Sequence, residues 1–184
     1  MTRALVPLAD GVEEMEAVII LDILRRAGWE VCSASLKPGP VTASRGVRLL
    51  ADKRWDEIDP LSFDLIVLPG GSQGTENLRA DPRIIRALQA MSHGGKITAA
   101  VCAAPLVLQE AGLLAGKRAT CHPGVAARLT ATTRSDEPVV TDGNIVTSQG
   151  AGTTFEFALA LVAMTGGRAK AGEIARSIVL SPRH

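Results

Sequence analysis

Tyrosine is absent from these 184 residues, and the other aromatics amount to three phenylalanines and two tryptophans. A core without large rings must be filled by Ala, Val, Leu and Ile. A surface without them offers no stacking platform for single-stranded nucleic acid. Charge of one sign is missing as well. The formal net charge is +1, and basic residues do not cluster beyond pairs such as Arg25-Arg26, which excludes the electrostatic footprint of a DNA, RNA or anionic-lipid binder. No apolar run approaches the ~20 residues that span a bilayer. The opening stretch MTRALVPLADGVEEMEAV carries Asp10, Glu13, Glu14 and Glu16, acids that a secretory signal does not tolerate, so a cytoplasmic protein is expected. Cysteine is scarce: Cys32, Cys102 and Cys121 form no C-x-x-C pair. That spacing predicts neither a disulfide framework nor a zinc knuckle, and free thiols suit a reducing compartment. No GxGxxG or P-loop is present, so no nucleotide or other cofactor is expected.

What is present is an ordinary globular composition, 46% hydrophobic and 21% charged, in a chain long enough for one sizeable core. No linker or repeat divides it, and a single domain over 1–184 is expected. RALVPLA reads as a buried strand, and EEMEAVIILDILRRAG as a helix stopped at Gly28. WEVCSAS reads as a second strand, and PVTASRGVRLLAD as a small hairpin about Arg45-Gly46. FDLIVLPGG is a near-continuous apolar run ending in paired glycines, as in a strand covered on both faces. DPRIIRALQAMSHGG predicts a helix capped by Asp81 with Pro82 in its first turn. KITAAV is a strand and APLVLQEAGLL a helix. VVTDGNIVTS is a hairpin about Asp142-Gly143, and GTTFEFALALVAMTG and RAKAGEIARSIV close the chain as helices. His93 and His184 read as helix-end and tail residues. Strands alternating with helices predict a layered α/β/α sandwich with a mostly parallel central sheet, flavodoxin-like or class I glutamine-amidotransferase-like.

In such a sheet, ligands gather at the carboxyl ends of the strands. One strand ends at Gly70-Gly71 and another at Cys102, which is followed by small Ala103 and Ala104 and then a helix. A sharp strand-to-helix turn strains its nucleophile and needs small neighbours. Free N–H groups at a helix start favour a thiolate, and the N–H groups after Cys102 and near Gly71 are positioned to hold an oxyanion. The opposing reading is a small buried hydrophobe, which also suits Cys32.

The blocks ALVPLADGVEEMEAVIILDILRRAGWEV, ASRGV, LIVLPGG, ITAAVCAAPLVL, ATCHPG and IVTSQGAGTTFEFALALV together resemble the ThiJ/PfpI superfamily, in the branch of the parkinsonism-associated protein deglycases. The resemblance runs in register along nearly the whole chain. It implies that Cys102 is the reactive cysteine and that Glu16 is its acidic partner, protonated and donating a hydrogen bond to sulfur. It implies that His122 lies near that sulfur as an acid/base group, that Gly70 and Gly71 turn backbone toward it, and that Arg45 stands at the pocket rim and subunit boundary. The Ala103 N–H, directly after the cysteine, is a further oxyanion donor by its position, and His122 read by itself is equally a satisfied loop residue before Pro123. Read by itself, without the resemblance, Glu16 is a solvated acid of the helix start beside Glu13 and Glu14. Ala103 replaces the histidine carried there by protease-associated members, which argues against an adjacent Cys-His pair. Cys121 is either a second, resolving thiol or a space-filler at a strand end.

The activity so implied is a cofactor-free glyoxalase or protein deglycase acting on methylglyoxal, glyoxal and their early adducts on protein side chains. The alternative is a redox sensor or stress chaperone working through oxidation of Cys102 to sulfinate. A homodimer is expected, with the first helix and the ASRGV segment at its boundary. No nucleic-acid or membrane partner is expected.

Overall fold

The computed structural model describes residues 1–180, so His184 lies outside the described residues. In chain order the structure runs β1 (Arg3–Leu8), α1 (Glu14–Arg26), β2 (Glu30–Ser35), the short pair β3 (Val41–Thr42) and β4 (Arg48–Leu49), β5 (Lys53–Arg54) and β6 (Leu65–Leu68). It continues through α2 (Ser72–Ala80), α3 (Pro82–His93), β7 (Ile97–Val101) and α4 (Pro105–Glu110) to β8 (Arg118–Ala119) and β9 (Thr133–Arg134). The last elements are β10 (Val139–Asp142), β11 (Ile145–Ser148), α5 (Thr154–Gly166) and α6 (Arg168–Ser177). Seven strands form one sheet in the order β10-β11-β7-β6-β1-β2-β5. All its pairings are parallel except that of β10 with β11. The fold is therefore an α/β sandwich with a mostly parallel central sheet.

The strands bury both faces, as their unbroken apolar runs require. Leu5, Ile66, Leu68 and Ala100 point into one cluster, with residues of α3 and α4. Ala4, Val6, Leu65, Val67, Ala99 and Val101 point into the other, with residues of α1, α5 and α6. This is the period-two alternation of a pleated strand.

Local signals explain the element ends. Asp81 caps α3 by accepting the Arg83 N–H at 2.9 Å, with Pro82 in its first turn. Gly143 turns the β10–β11 hairpin with a left-handed φ of 63°. Two expectations need correction. The helix expected over APLVLQEAGLL is only the six-residue α4 and breaks into turns after Glu110. Helix α2, SQGTENLRA, was not anticipated: it is polar, contains Gly74 and starts at Gly71 without a capping side chain.

The chain moves outward from β1 to β2 in one direction and then restarts at β6 on the other side of β1. That reversal opens a crevice at the carboxyl ends of β1, β6 and β7. No helix among the described residues is long and apolar enough to cross a membrane.

Candidate active site

The crevice is a cleft of about 750 Å³, lined by Glu16, Arg45, Gly71, Cys102 and His122 together with Asp10, Glu13, Ser44, Gln73 and others. Three crossovers supply its centre. Glu16 comes from the first turn of α1, the glycine pair from the end of β6, and Cys102 from the residue after β7.

Cys102 has φ 64°, a left-handed conformation that costs a non-glycine residue on the order of 1–3 kcal/mol. The surroundings over-determine it. Its N–H donates to Ser148 O at 3.0 Å and its carbonyl accepts the His122 N–H at 2.8 Å. The kink has a positional consequence. Alternation along β7 would send residue 102 to the α3/α4 face. Instead its side chain, half-buried, packs against the cluster that contains α1. That is the side on which Glu16 lies. The N–H groups of Gly71 and Ala103 lie near the sulfur and favour its charged form, without an aligned hydrogen bond to it.

Glu16 is fully buried, not a solvated acid of the helix start. Its N–H is taken by the Glu13 carboxylate at 2.8 Å, the N-cap bond of α1. Its Oε2 accepts the Gly70 N–H at 2.8 Å. Gly70 therefore gives its amide to the carboxyl and not to the sulfur; of the glycine pair, only Gly71 turns an N–H to Cys102. Glu16 Oε1 is buried and makes no aligned hydrogen bond, although the carboxyl lies close enough to the sulfur for each to shift the other's ionisation.

Burial lifts the Glu16 carboxyl to about 7 against the opposing pull of the Gly70 N–H and the sulfur. Burial first, and then the negative charge of an ionised Glu16, push the Cys102 thiol up to about 12. Each group is thus harder to ionise once the other carries charge, and the pair titrates as a unit. One proton leaves near neutrality, and the second is held over the rest of the accessible range. Helix α4, at six residues, offers the sulfur little dipole; its stabilisation comes from the two specific N–H groups.

Gly70 is glycine for steric reasons. A Cβ there would stand 2.6 Å from the Cys102 Cβ and 2.8 Å from Glu16 Oε2. At Gly71, φ is +91° and a Cβ would come within 2.2 Å of Gly11 O.

His122 is exposed at the cleft and caps the short 3-10 turn Pro123–Arg128. Its Nδ1 accepts the Gly124 N–H at 3.0 Å. A neutral ring therefore carries its proton on Nε2, making it a donor in this tautomer and not a base. Arg45 lines the cleft from the tight turn between β3 and β4.

The other thiols stand apart. Cys121 is 1% exposed and packs into the α3/α4 cluster, across the sheet from the face that Cys102 touches. Its place is that of a space-filler, and a resolving role would require the sulfurs to meet. Cys32 lies half-buried in β2 with its thiol pushed up by burial and then by Asp52. Glu14 has a role that no local pattern signals. Glu14, 8% exposed, accepts the Arg45 N–H at 2.9 Å and the Ser44 hydroxyl at 2.8 Å, so it ties the Arg45 turn to α1. Nothing in the EEME string separates it from its acidic neighbours.

The sequence profile of the DJ-1/PfpI family matches residues 2–164. Among curated relatives, Protein DJ-1 homolog B of Arabidopsis thaliana is 43% identical over 180 residues, covering 97% of this chain but 41% of that protein. The chain thus spans about two-fifths of the length of that relative. Protein dj-1beta of Drosophila melanogaster is 39% identical over 181 residues, with 97% of both chains covered. The glutathione-independent glyoxalase DJR-1.2 of Caenorhabditis elegans is 34% identical over 179 residues, covering 96% of this chain and 95% of that one. The crystal structure of Drosophila melanogaster DJ-1beta superposes with a TM-score of 0.95 at 38% identity, covering 98% and 99% of the two chains.

Proposed function

This chain belongs to the DJ-1/PfpI family, and for it we propose a cysteine-dependent glyoxalase activity that converts 2-oxoaldehydes such as methylglyoxal and glyoxal to 2-hydroxy acids. The observation that carries the reading is the buried Glu16 carboxyl, whose Oε1 has no aligned partner, held against the sulfur of a strained Cys102. A proton on Oε1 aimed at the sulfur gives that orphaned atom a role, and it leaves the negative charge on sulfur, where the Gly71 and Ala103 N–H groups receive it. A relative 34% identical bears the name glutathione-independent glyoxalase.

The thiolate adds to the aldehyde carbon, forming a C–S bond, and the carbonyl oxygen takes the Glu16 proton to give a hemithioacetal. The carboxylate so formed removes the hydrogen of the former aldehyde carbon. The electron pair of that C–H bond moves toward the ketone, giving an enediol, with the His122 Nε2–H as donor to its oxygen. A proton returns to the neighbouring carbon and the hydroxyl on the sulfur-bearing carbon gives up its own proton, leaving a thioester. Water then hydrolyses it, releasing the 2-hydroxy acid and the free thiol. One carbon is oxidised and its neighbour reduced, so the sum is substrate plus one water and no outside oxidant is needed.

The same site would act on early aldehyde adducts of protein side chains, the deglycase form of the activity. The size of the cleft favours turnover over redox sensing, because oxidation of a sulfur atom needs no such room. The exposed Met15 and Val18 of α1 and Val47 of the β3–β4 turn support a homodimer with its boundary beside the cleft.

The test is lactate formation from methylglyoxal by the purified protein. Cys102→Ser is expected to lower the rate at least about 100-fold, the scale on which a lost nucleophile or acid/base group is felt. Equal rates for the two proteins would refute the reading.

A further inference from the structure

The cleft holds one cationic side chain whose charge no neighbour cancels. Among its acidic lining residues, Asp10 is ion-paired with Lys37 and also accepts the Thr42 N–H at 2.9 Å. Glu13 caps the Glu16 N–H, and Glu16 is buried with its Oε2 taken by the Gly70 N–H. The carboxylate best placed to neutralise Arg45 is that of Glu14, but both its oxygens are engaged by the Arg45 N–H and the Ser44 hydroxyl. The guanidinium makes no ion pair or hydrogen bond among the described residues.

The turn that carries it is nevertheless fixed. Ser44 N–H donates to Val12 O at 2.7 Å, Ala43 N–H to Val47 O at 2.8 Å, and Gly46 N–H to Ala43 O at 3.0 Å. A fixed turn anchors an exposed, unpaired guanidinium whose planar fork suits a carboxylate. The cleft also has far more room than a three-carbon aldehyde fills; about 750 Å³ is the size of a site for a larger ligand.

We propose that Arg45 selects 2-oxoaldehydes that carry a carboxylate on the carbon chain beyond the ketone. The proposal rests on the glyoxalase reading for the reacting end of the substrate and adds the recognition of the other end. Without Arg45 the lining would offer such a substrate the Glu13 carboxylate and no unpaired cation to offset it.

Two measurements separate this proposal from the reading beneath it. The first needs no turnover: the rate of Cys102 alkylation by iodoacetate relative to iodoacetamide, followed by intact mass. One nearby unpaired cation predicts that this ratio drops about fivefold or more in Arg45→Gln, is largely kept in Arg45→Lys, and shrinks with added salt in the wild type. A ratio unchanged in Arg45→Gln overturns the proposal. The second is kcat/KM for 4,5-dioxopentanoate relative to methylglyoxal, expected to fall about tenfold in Arg45→Gln, as for loss of a charge-assisted hydrogen bond. If methylglyoxal is converted and this second ratio does not move, selection by Arg45 is wrong while the glyoxalase reading stands. If the wild type converts neither aldehyde, the glyoxalase reading fails, and the alkylation ratio still decides whether Arg45 receives anions at the cleft.

Discussion

Glu16 and Cys102 compete for one proton, and the outcome reaches beyond the site. Burial lifts the Glu16 carboxyl to about 7, against about 4.3 in an unfolded chain. The folded state therefore binds a proton that the unfolded state has lost. A carboxyl raised in this way contributes stability that is full below the unfolded value and disappears as pH climbs through the folded one. The difference corresponds to on the order of 3 kcal/mol. Unfolding free energy from urea titrations is expected to fall by an amount of that order between pH 5 and 7.5. In Glu16→Gln, which cannot ionise, the profile should flatten. The slope counts the proton held by the Glu16–Cys102 pair, whichever atom releases it, so equal slopes in the two proteins would show that this pair is not what titrates. The opposite contribution comes from Glu14, which burial pushes up but which its own backbone N–H, the Ser44 hydroxyl and the Arg45 and Val47 N–H groups together hold below the usual carboxylate range. Its stabilisation is lost only at more acidic pH.

At the scale of elements, the sharpest constraint is the close approach of the β6 end to the β7 end. Val101 O, the Cys102 Cβ and Glu16 Oε2 all crowd the place where a Gly70 side chain would sit. Gly70→Ala is expected to cost about 1–3 kcal/mol by overpacking and to slow lactate formation about tenfold or more by moving the sulfur off its donors. Gly152→Ala, where an added Cβ meets nothing within 4 Å, serves as the control. A Gly70→Ala protein as stable and active as wild type would contradict this packing.

The same scale shows what the sequence made legible. β1, α1, β6, α3 and the β10–β11 hairpin were readable because each has a period, a cap or a glycine turn that acts locally. The strained turn at Cys102 was readable because small residues follow a buried strand. Helix α2 was not, because its polar, glycine-containing stretch is helical through packing against α3 and α4 and not through its own pattern. The length of α4 was overread for the converse reason: LVLQEAGLL keeps helical apolar spacing past the point where Gly112, with φ 76°, turns the backbone away.

At the scale of the molecule, the sheet order does what no local pattern reveals. Restarting the chain at β6, beside β1, places three strand ends side by side, so that residues 16 and 70, fifty-four apart in sequence, share a hydrogen bond. Composition and spacing did not distinguish Glu16 from Glu13 or Glu14. Family resemblance singled it out, and the topology explains why it alone can meet the sulfur. Glu14 stayed unread because its partners, Ser44 and Arg45, lie thirty residues on and reach it only through the path of the β3–β4 turn.

Where the shared proton rests near neutral pH decides whether the sulfur is a nucleophile, and the pH dependence of Cys102 alkylation by iodoacetamide measures that directly. The wild type should show a midpoint at or below about 7, well under the ~8.5 of a free thiol. It should rise past that value in Glu16→Leu, where burial remains and the donor is gone, with Glu16→Gln in between. A wild-type sulfur that stays unreactive until far above 8.5, or a midpoint indifferent to residue 16, would put the charge on the carboxylate and contradict the mechanism.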